Sequence, residues 1–300
     1  MKNKLAIIMV NYKTYQFTFK CVDSIFNTCK EDYHIYIVDN NSPNESLEKL
    51  QDKYGSNEKI TIVNSMRNRG YSDGLNQGYS IAKRQDDYAV YLFINNDLLF
   101  YEDTFSNLMT AFVKYPDIGV VGGQILNDKE NPIVSYKPRL TYKYQLQTTK
   151  PFSWLFKTNI QTKVEHPMLL DGMVAGCFFA INNTMMEALK MFDDNVFIYY
   201  EEDILSIRIH EMGKQALLDP SIRVLHFGSQ TIPKNAFTYF NRYKSVLYTI
   251  SNYCKCSKTQ LRLLYLIYAG NLWVKSIKDK EFKKAKADLK AYYKKLKEEL

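Results

Sequence analysis

The chain has 300 residues, 46% hydrophobic and 24% charged, enough for one large α/β domain or a catalytic domain with a smaller appendage. Its formal charge of +8 fits a partner carrying phosphates, whether nucleic acid, a nucleotide substrate or an anionic membrane surface. No stretch reaches the roughly 18 uninterrupted apolar residues of a membrane span, and five irregularly spaced cysteines argue for reduced thiols rather than a zinc knuckle at Cys254-Lys255-Cys256.

From the N-terminus, an apolar run is stopped by Asn11 and Tyr12 with no small-residue cleavage site after it, so Leu5–Val10 reads as a strand and not a signal peptide. Phe17, Cys21 and Ile25 recur at helical spacing after Thr14. Tyr33–Val38 is the second strand. Ser42-Pro43-Asn44-Glu45 then has the form of a capping box with proline at the first helical position, which predicts a helix from there. Ile60–Val63 is a third strand, Gly70–Arg84 a glycine-containing loop running into a helix, and Tyr88–Ile94 a fourth strand. Strands separated by helices of this length imply a parallel sheet with right-handed crossovers.

The second half is less regular. Gly119–Leu126 reads as a strand, and Lys129–Glu165 is polar, dotted with proline and without a clear period. Met168–Ile181 is strand-like and Asn183–Met191 helical; Glu201–Met212 is a helix closed by Gly213 at its C′ position. Ala216–Leu218 and Ile222–Leu225 are short strands, and from Phe237 the pattern is helical to the end, with an apolar middle and a lysine-rich tail. No internal repeat is visible.

In a parallel sheet, ligands bind beyond the carboxyl ends of the strands. The first strand ends in Asn11-Tyr12, the second in Asp39-Asn40-Asn41, the third leads to Asn64 and Arg67-Asn68-Arg69-Gly70, and the fourth ends in Asn95-Asn96-Asp97. Any one is an ordinary turn; their shared edge is the signal. With no Gly-x-Gly-x-x-Gly after the first strand and no Walker lysine loop, a dinucleotide cofactor or a P-loop is disfavoured. An acid at the second strand suits a ribose or base edge. One at the fourth suits a hard divalent cation, Mg or Mn, which brings diphosphate with it. Ribose, base and diphosphate together make a nucleotide-sugar.

These residues resemble glycosyltransferase family 2, which has the GT-A fold, over roughly Leu5 to Ser229. Ile8-Met9-Val10-Asn11-Tyr12 looks like the family's first strand, and Ile37-Val38-Asp39-Asn40-Asn41-Ser42 like the strand whose Asp contacts base or ribose. Asn68-Arg69-Gly70-Tyr71-Ser72-Asp73-Gly74-Leu75-Asn76-Gln77-Gly78 is similar to a stretch of the bacterial rhamnosyltransferase-like branch. Phe93-Ile94-Asn95-Asn96-Asp97 occupies the place of the Asp-x-Asp metal motif, with amides where a second carboxylate would stand. Phe192-Asp193 and Tyr199-Tyr200-Glu201-Glu202-Asp203 through Arg208 look like the Glu-Asp helix that carries the catalytic base, and Val224-Leu225-His226-Phe227-Gly228-Ser229 like the late histidine segment facing the diphosphate.

The resemblance implies a Rossmann-like, mostly parallel sheet flanked by helices. Residues 1–230 would form the catalytic domain, with a nucleotide-sugar half to about 125 and an acceptor half after it; residues 231–300 would be a helical, basic extension. It implies inversion at the anomeric carbon. Counting back from Arg208, Glu202 is the base, with Asp203 the rival and Glu201 beside them. Val10, Asn11, Tyr12, Asp39, Asn41, Asn68, Gly70, Asn76, Asn95, Asn96 and Asp97 would contact the donor, and Asp97 and His226 would hold the cation. Neighbouring acids on a helix point to different faces, so one is expected inward, one paired with a cation such as Arg208, and one in solvent.

The donor would be dTDP-rhamnose or a UDP-hexose, and the acceptor a glycan or lipid-linked hydroxyl in bacterial surface polysaccharide synthesis. The setting would be the cytoplasm, at the inner face of the membrane if Leu261–Trp273 and the lysine tail make a peripheral contact; the same tail suits a homodimer contact or a solvated helix face. A nucleotidyltransferase would need a basic glycine-rich loop near the first strand, and none is present. A nucleic-acid binder is disfavoured because the basic residues form no interleaved basic–aromatic module. A catalytically silent nucleotide-sugar-binding module is separated from the enzyme by donor-dependent release of a nucleoside diphosphate.

Overall fold

The structure, a computed structural model, describes residues 4–156, 160–227 and 234–299. Along the chain, β1 (Lys4–Asn11), α1 (Tyr15–Thr28), β2 (Asp32–Asp39), α2 (Ser46–Tyr54), β3 (Ile60–Asn64), α3 (Tyr71–Gln85) and β4 (Val90–Asn95) build four parallel strands in the spatial order β3-β2-β1-β4. They are followed by β5 (Leu98–Phe100), α4 (Thr104–Lys114), β6 (Val120–Leu126), β7 (Tyr136–Pro138), α5 (Tyr142–Thr148) and a 3-10 turn, Phe152–Trp154. Next come β8 (Met168–Leu170), β9 (Gly172–Val174), β10 (Phe178–Asn182), α6 (Asn183–Leu189), α7 (Glu201–Glu211) and β11 (Ala216–His226). β10 enters the sheet antiparallel between β4 and β6, β11 lies parallel to β6, and β5 and β8 pair antiparallel with β11. β7 and β9 form a separate antiparallel pair.

The two-residue period of a strand explains how the sheet is covered. Leu5, Ile7 and Met9 of β1 face one way, into a core closed by Cys21 and Ile25 of α1, Leu50 of α2 and Leu108 of α4. Ala6 and Ile8 face the other, against Leu75, Tyr79 and Ala82 of α3 and Leu205 of α7. Strands buried on both faces read as continuous apolar runs, which is how β1, β2 and β4 appear in sequence. At Gly78 of α3, a Cβ would lie 2.6 Å from Cγ2 of Ile8, so the helix needs a bare backbone to lie this close to β1. A third core holds α8 (Ala236–Tyr253), α9 (Lys258–Ser276) and α10 (Glu281–Glu299) together, and reaches Leu140 and Ile207 of the preceding chain.

Several elements differ from the sequence expectation. The capping box does not form: α2 starts at Ser46, because the Ser42 hydroxyl donates to Asp39 Oδ2 at 2.7 Å instead of capping a helix. The run 168–181 is three strands, broken at Asp171 and again between Val174 and Phe178. The two short strands at 216–225 are one, β11, with an irregularity between Asp219 and Arg223 where Pro220 cannot donate to the ladder. The helix expected over 183–191 stops at Leu189, and the guanidinium of Arg208 donates to the carbonyls of Leu189 and Met191 just beyond. Gly213 does close α7, in the left-handed region at φ 70°. Among the described residues, no helix is long and apolar enough to cross a membrane.

Candidate active site

The parallel register brings the strand ends to one edge. Asn11 at the tip of β1 stands opposite Asp39 at the tip of β2, and Val10 opposite Asn95 on β4. Asn11 is the hub: its amide nitrogen donates to Asp39 Oδ2 at 2.7 Å, and its carbonyl oxygen accepts from Thr18 Oγ1 at 3.0 Å and Asn96 Nδ2 at 3.3 Å. Asn96 donates as well to the hydroxyls of Thr18 and Thr14, at 2.8 and 2.9 Å. Asp39 is 1% exposed. Its carboxylate accepts the Ser42 backbone N–H at 2.9 Å and the Ser42 hydroxyl in addition to Asn11. The expected donor residues Asn11, Asp39, Asn95, Asn96 and Asp97 therefore share one linked patch. Tyr12 and Asn41 lie exposed at its rim, Asn41 with a left-handed φ of 56°.

The loop into α3 is built from its own polar groups. Asn68 Oδ1 accepts the Gly70 N–H at 3.0 Å and the Asn40 amide at 3.2 Å, which shapes the turn. Gly70 has φ 111°, and a Cβ there would sit 2.2 Å from the Phe197 carbonyl oxygen, so glycine is required. Val10 packs beneath Gly74. Asn76 serves the scaffold: its amide donates to the Phe192 carbonyl and accepts the Phe192 N–H, both at 2.9 Å, clamping α3 to the 192 loop, and it is buried. Both ends of that amide are thereby occupied.

Beyond α3, the phenol of Tyr71 donates to Asn95 Oδ1 at 3.1 Å. Burial first, then the negative charges of Glu201, Cys177, Glu202 and Asp97, hold that phenol well above its ordinary range. One ring thus stands between the end of β4 and the start of α7. His226 Nε2 lies 3.1 Å from Asp97 Oδ1, because β11 pairs with β5 and sets His226 against Leu98. Gly228 and Ser229 of the histidine segment lie outside the described residues.

The three acids differ sharply. Burial, reinforced by the charge of Glu202, pushes Glu201 up to about 8, and its Oε2 is buried without a hydrogen-bond partner. Lys137 of β7 places its ammonium 2.6 Å from Asp203 Oδ2 and 3.4 Å from Glu202 Oε1. Burial alone would lower the Lys137 pKa, but Glu202 and Asp203 outweigh it and hold the ammonium charged. Asp203 is raised by burial, with Lys137 opposing. Glu202 packs against Gly176, where a Cβ would come within 2.8 Å of its Oε1. Arg208 pairs with none of the three acids, donating instead to the carbonyls of Leu189 and Met191, and none of the three lies in open solvent. The β7–β9 pair folds over the start of α7 and supplies the cation from another element. Just before α7, Tyr199 and Tyr200 are both left-handed, at φ 68° and 70°, a costly conformation for aromatic residues.

Lys137, Tyr71 and Gly176 were not foreseen as site residues. Tyr71 lies inside the motif stretch, where an aromatic beside Gly70 was a usable signal. Lys137 sits in the polar stretch without a period and carries no local signal. Among the described residues, no group of three or more His, Cys, Asp and Glu side chains could hold a metal ion. A cavity of about 1050 Å³ opens elsewhere, lined by residues such as Asp87 and Asn182, and it includes none of the candidate residues.

The family model described as Glycosyl transferase family 2 matches residues 6–184, more than half of the chain. No curated protein matches the chain in sequence. Among solved structures, it is similar to GalNAc-T7 with UDP, GalNAc and Mn2+, with TM-score 0.56 and 19% identity over 81% of this chain and 47% of that one. It is also similar to the mannosyltransferase PcManGT from Pyrobaculum calidifontis in complex with GDP-Man and Mn2+, with TM-score 0.55 and 15% identity over 96% of this chain and 75% of that one. The chain thus spans about half the length of the first. At these identities the likeness is one of fold, and the fold is GT-A.

Proposed function

The chain belongs to glycosyl transferase family 2, and from that premise we propose that it moves a sugar from a nucleoside-diphosphate sugar to an acceptor hydroxyl, with inversion at the anomeric carbon. The observation that carries this reading is that the end of β4 and the acid helix share neighbours: Asn95 accepts from the Tyr71 hydroxyl and donates its N–H to the Cys177 carbonyl at 2.8 Å, and Gly176, next in the chain, packs against Glu202.

On this reading the nucleoside sits at the tips of β1 and β2. Asp39 accepts a hydrogen bond from the Ser42 hydroxyl, and a ribose hydroxyl or base N–H would take the place of that donor. Glu202 accepts the proton of the acceptor hydroxyl as that oxygen attacks the anomeric carbon, and the bond from that carbon to the diphosphate oxygen breaks on the opposite face. General-base help of this kind is typically worth about 10²–10⁴-fold. Lys137 sets a positive charge beside Glu202 and Asp203, while Glu201, pushed up to about 8 by burial, spares the cluster a third charge at neutral pH. Asp97 and His226 supply one carboxylate and one imidazole side by side. One carboxylate and one imidazole are too few to hold a cation by protein alone, and the imidazole is a poorer match for Mg than for Mn; Asp97, with His226 beside it, would hold a Mg or Mn ion only together with the donor's diphosphate. Such an ion would stabilise the charge gathering on the leaving diphosphate.

Residues to about 125 serve the donor, those to about 230 the acceptor, and 231–300 form the helical extension. The donors favoured are dTDP-rhamnose and UDP-hexoses. The acceptor is a glycan or lipid-linked hydroxyl of bacterial surface polysaccharide, met at the inner face of the membrane. The test is a panel of nucleotide-sugars, with and without Mg²⁺ or Mn²⁺, read by thermal stabilisation and by release of nucleoside diphosphate in the presence of acceptor. Release from one donor, lost in Glu202→Gln while donor stabilisation persists, is expected; stabilisation by no donor overturns the reading.

A further inference from the structure

A cavity of about 540 Å³ lies between α5, α8 and α9, and Tyr200, the residue before the acid cluster, is part of its lining. Its walls are aromatic and its charge is of one sign. Tyr243 and Tyr268 stack face to face with centroids 4.3 Å apart. Arg242, Lys275 and Lys150 line the space, and no carboxylate among the described residues does. Arg242 lies 5.9 Å from the Tyr199 ring centre and Lys275 lies 4.2 Å from that of Tyr239; neither has a carboxylate partner among the described residues. Cations lining an aromatic cavity, with no carboxylate of the described residues to neutralise them, form a receptor for an anion, and phosphate is matched by an arginine fork and lysine together.

The floor of this cavity is tied to the catalytic helix. The Tyr200 hydroxyl donates to Gln145 Oε1 at 2.9 Å, and Gln145 Nε2 donates to the Tyr268 hydroxyl at 3.0 Å. Tyr200 is the residue before Glu201, so whatever binds here lies one residue along the chain from the acids. The rim is apolar: Val274 lines the cavity yet is 57% exposed, and Trp154, next to the lining residue Ser153, is 77% exposed. Leu155, Phe156, Trp273 and Ile277, neighbours of Trp154 and Val274 along the chain, are exposed as well. Apolar side chains with two tryptophans around a basic pocket match the boundary between lipid headgroups and acyl chains.

We propose that this cavity is the acceptor's phosphate site, and that the acceptor is a sugar carried on a prenyl phosphate or diphosphate. The phosphate is held by Arg242 and Lys275, and the prenyl chain leaves over Trp154 and Val274. The inference deepens the transferase reading and rests on it for the word acceptor, but its binding test does not require turnover.

The test uses the intact chain with EDTA present and farnesyl phosphate as probe, against farnesol and inorganic phosphate, by calorimetry. Wild type is expected to bind farnesyl phosphate at least about tenfold more tightly than either comparator, since both the charged pairs and the apolar rim contribute. The double variant Arg242→Gln/Lys275→Gln is expected to weaken the probe by at least about thirtyfold, two charge-assisted contacts being lost, with unchanged stabilisation by nucleotide-sugar as the sign that it is folded. Trp154→Ser/Val274→Ser removes the rim and leaves the cations, and is expected to bring farnesyl phosphate down to the level of inorganic phosphate. Equal binding by wild type and the double variant overturns the site. Farnesol binding as tightly as its phosphate overturns the anion chemistry, and inorganic phosphate binding as tightly overturns the lipid tether. Probe binding with no response to any nucleotide-sugar would overturn the transferase reading and leave the prenyl-phosphate site standing.

Discussion

Replacing Lys137 by glutamine separates electrostatics from packing at the acid cluster. The ammonium lies 3.4 Å from Glu202 Oε1 and 2.6 Å from Asp203 Oδ2. At an effective dielectric of 20, the longer contact alone is worth about 5 kcal/mol before desolvation is subtracted. Breaking a buried pair costs about 3–5 kcal/mol, and the low end applies because 31% of the Lys137 side chain still meets water. We therefore expect Lys137→Gln to lose about 3 kcal/mol of unfolding free energy in urea titrations at pH 7. Without the cation, the charge that opposes protonation of Glu201 and Asp203 is gone, so the cluster takes up protons at higher pH than in the wild type. The acid limb of the kcat/KM profile should move to higher pH. On that limb kcat should fall and then recover as pH rises, while KM for the donor stays within about twofold. Lost stability with an unmoved acid limb would reduce Lys137 to a packing residue and refute the electrostatic argument.

The remaining predictions concern the acids and the turn into α3. Glu202→Gln should cost at least about 10²-fold in kcat with donor stabilisation retained, whereas Glu201→Gln, already protonated below about 8, should keep turnover at pH 7 within about threefold. Glu201 also sets a pH dependence of stability. Its folded-state value is above the ordinary 4.5, so the cost is absent below about 4.5, grows as pH rises, and is complete above 8. Relative to wild type, Glu201→Gln should thus gain roughly 3–5 kcal/mol between pH 4 and pH 9, measured by chemical denaturation; a gain that falls with pH would contradict it. Asp97→Ala should abolish nucleoside diphosphate release from every donor, and release at the wild-type rate would remove Asp97 from the site. In Gly70→Ala the new Cβ would lie 2.2 Å from the Phe197 carbonyl oxygen, and the chain should lose at least about 2 kcal/mol of stability, visible as a lower urea midpoint.

What was legible in the sequence is what is local. The polar tips of β1, β2 and β4 follow directly upon apolar runs, so the rule that ligands gather at strand ends was enough to collect Asn11, Asp39 and Asn95–Asp97. Ser42 shows how a correct local signal loses. The hydroxyl could cap a helix three residues on, but Asp39 offers a charged acceptor, and a charge-assisted bond is about twice as strong as a neutral one. Lys137 was invisible because its partner Asp203 is 66 residues away and belongs to another element, so no spacing encodes the pair. Asn76 was read as a ligand for the donor from its motif, and it is engaged 116 residues along the chain as a backbone clamp. The β8–β10 run looked continuous because hydrophobicity does not register a change of partner: β8 pairs with β11, β9 with β7, and β10 with β4.

Three consecutive carboxyl groups on one helix would ordinarily be three equivalent charges. Here the surroundings split them: Asp203 is tied to Lys137, Glu202 stands between Lys137 and the space left by Gly176, and Glu201 is enclosed with an oxygen unpartnered. Environments that push neighbouring acids apart are how a site distinguishes a base from its neighbours. The separation depends on the left-handed pair Tyr199–Tyr200, which turns the chain so that Tyr200 meets Gln145 while the acids that follow meet Lys137 and Tyr71. Strain of this kind persists only where its surroundings enforce it, and here the Tyr200–Gln145–Tyr268 hydrogen bonds on one side and the Lys137 pairs on the other enforce it together. On the proposed reading, recognition of the acceptor and placement of the base would both follow from this one turn in the chain.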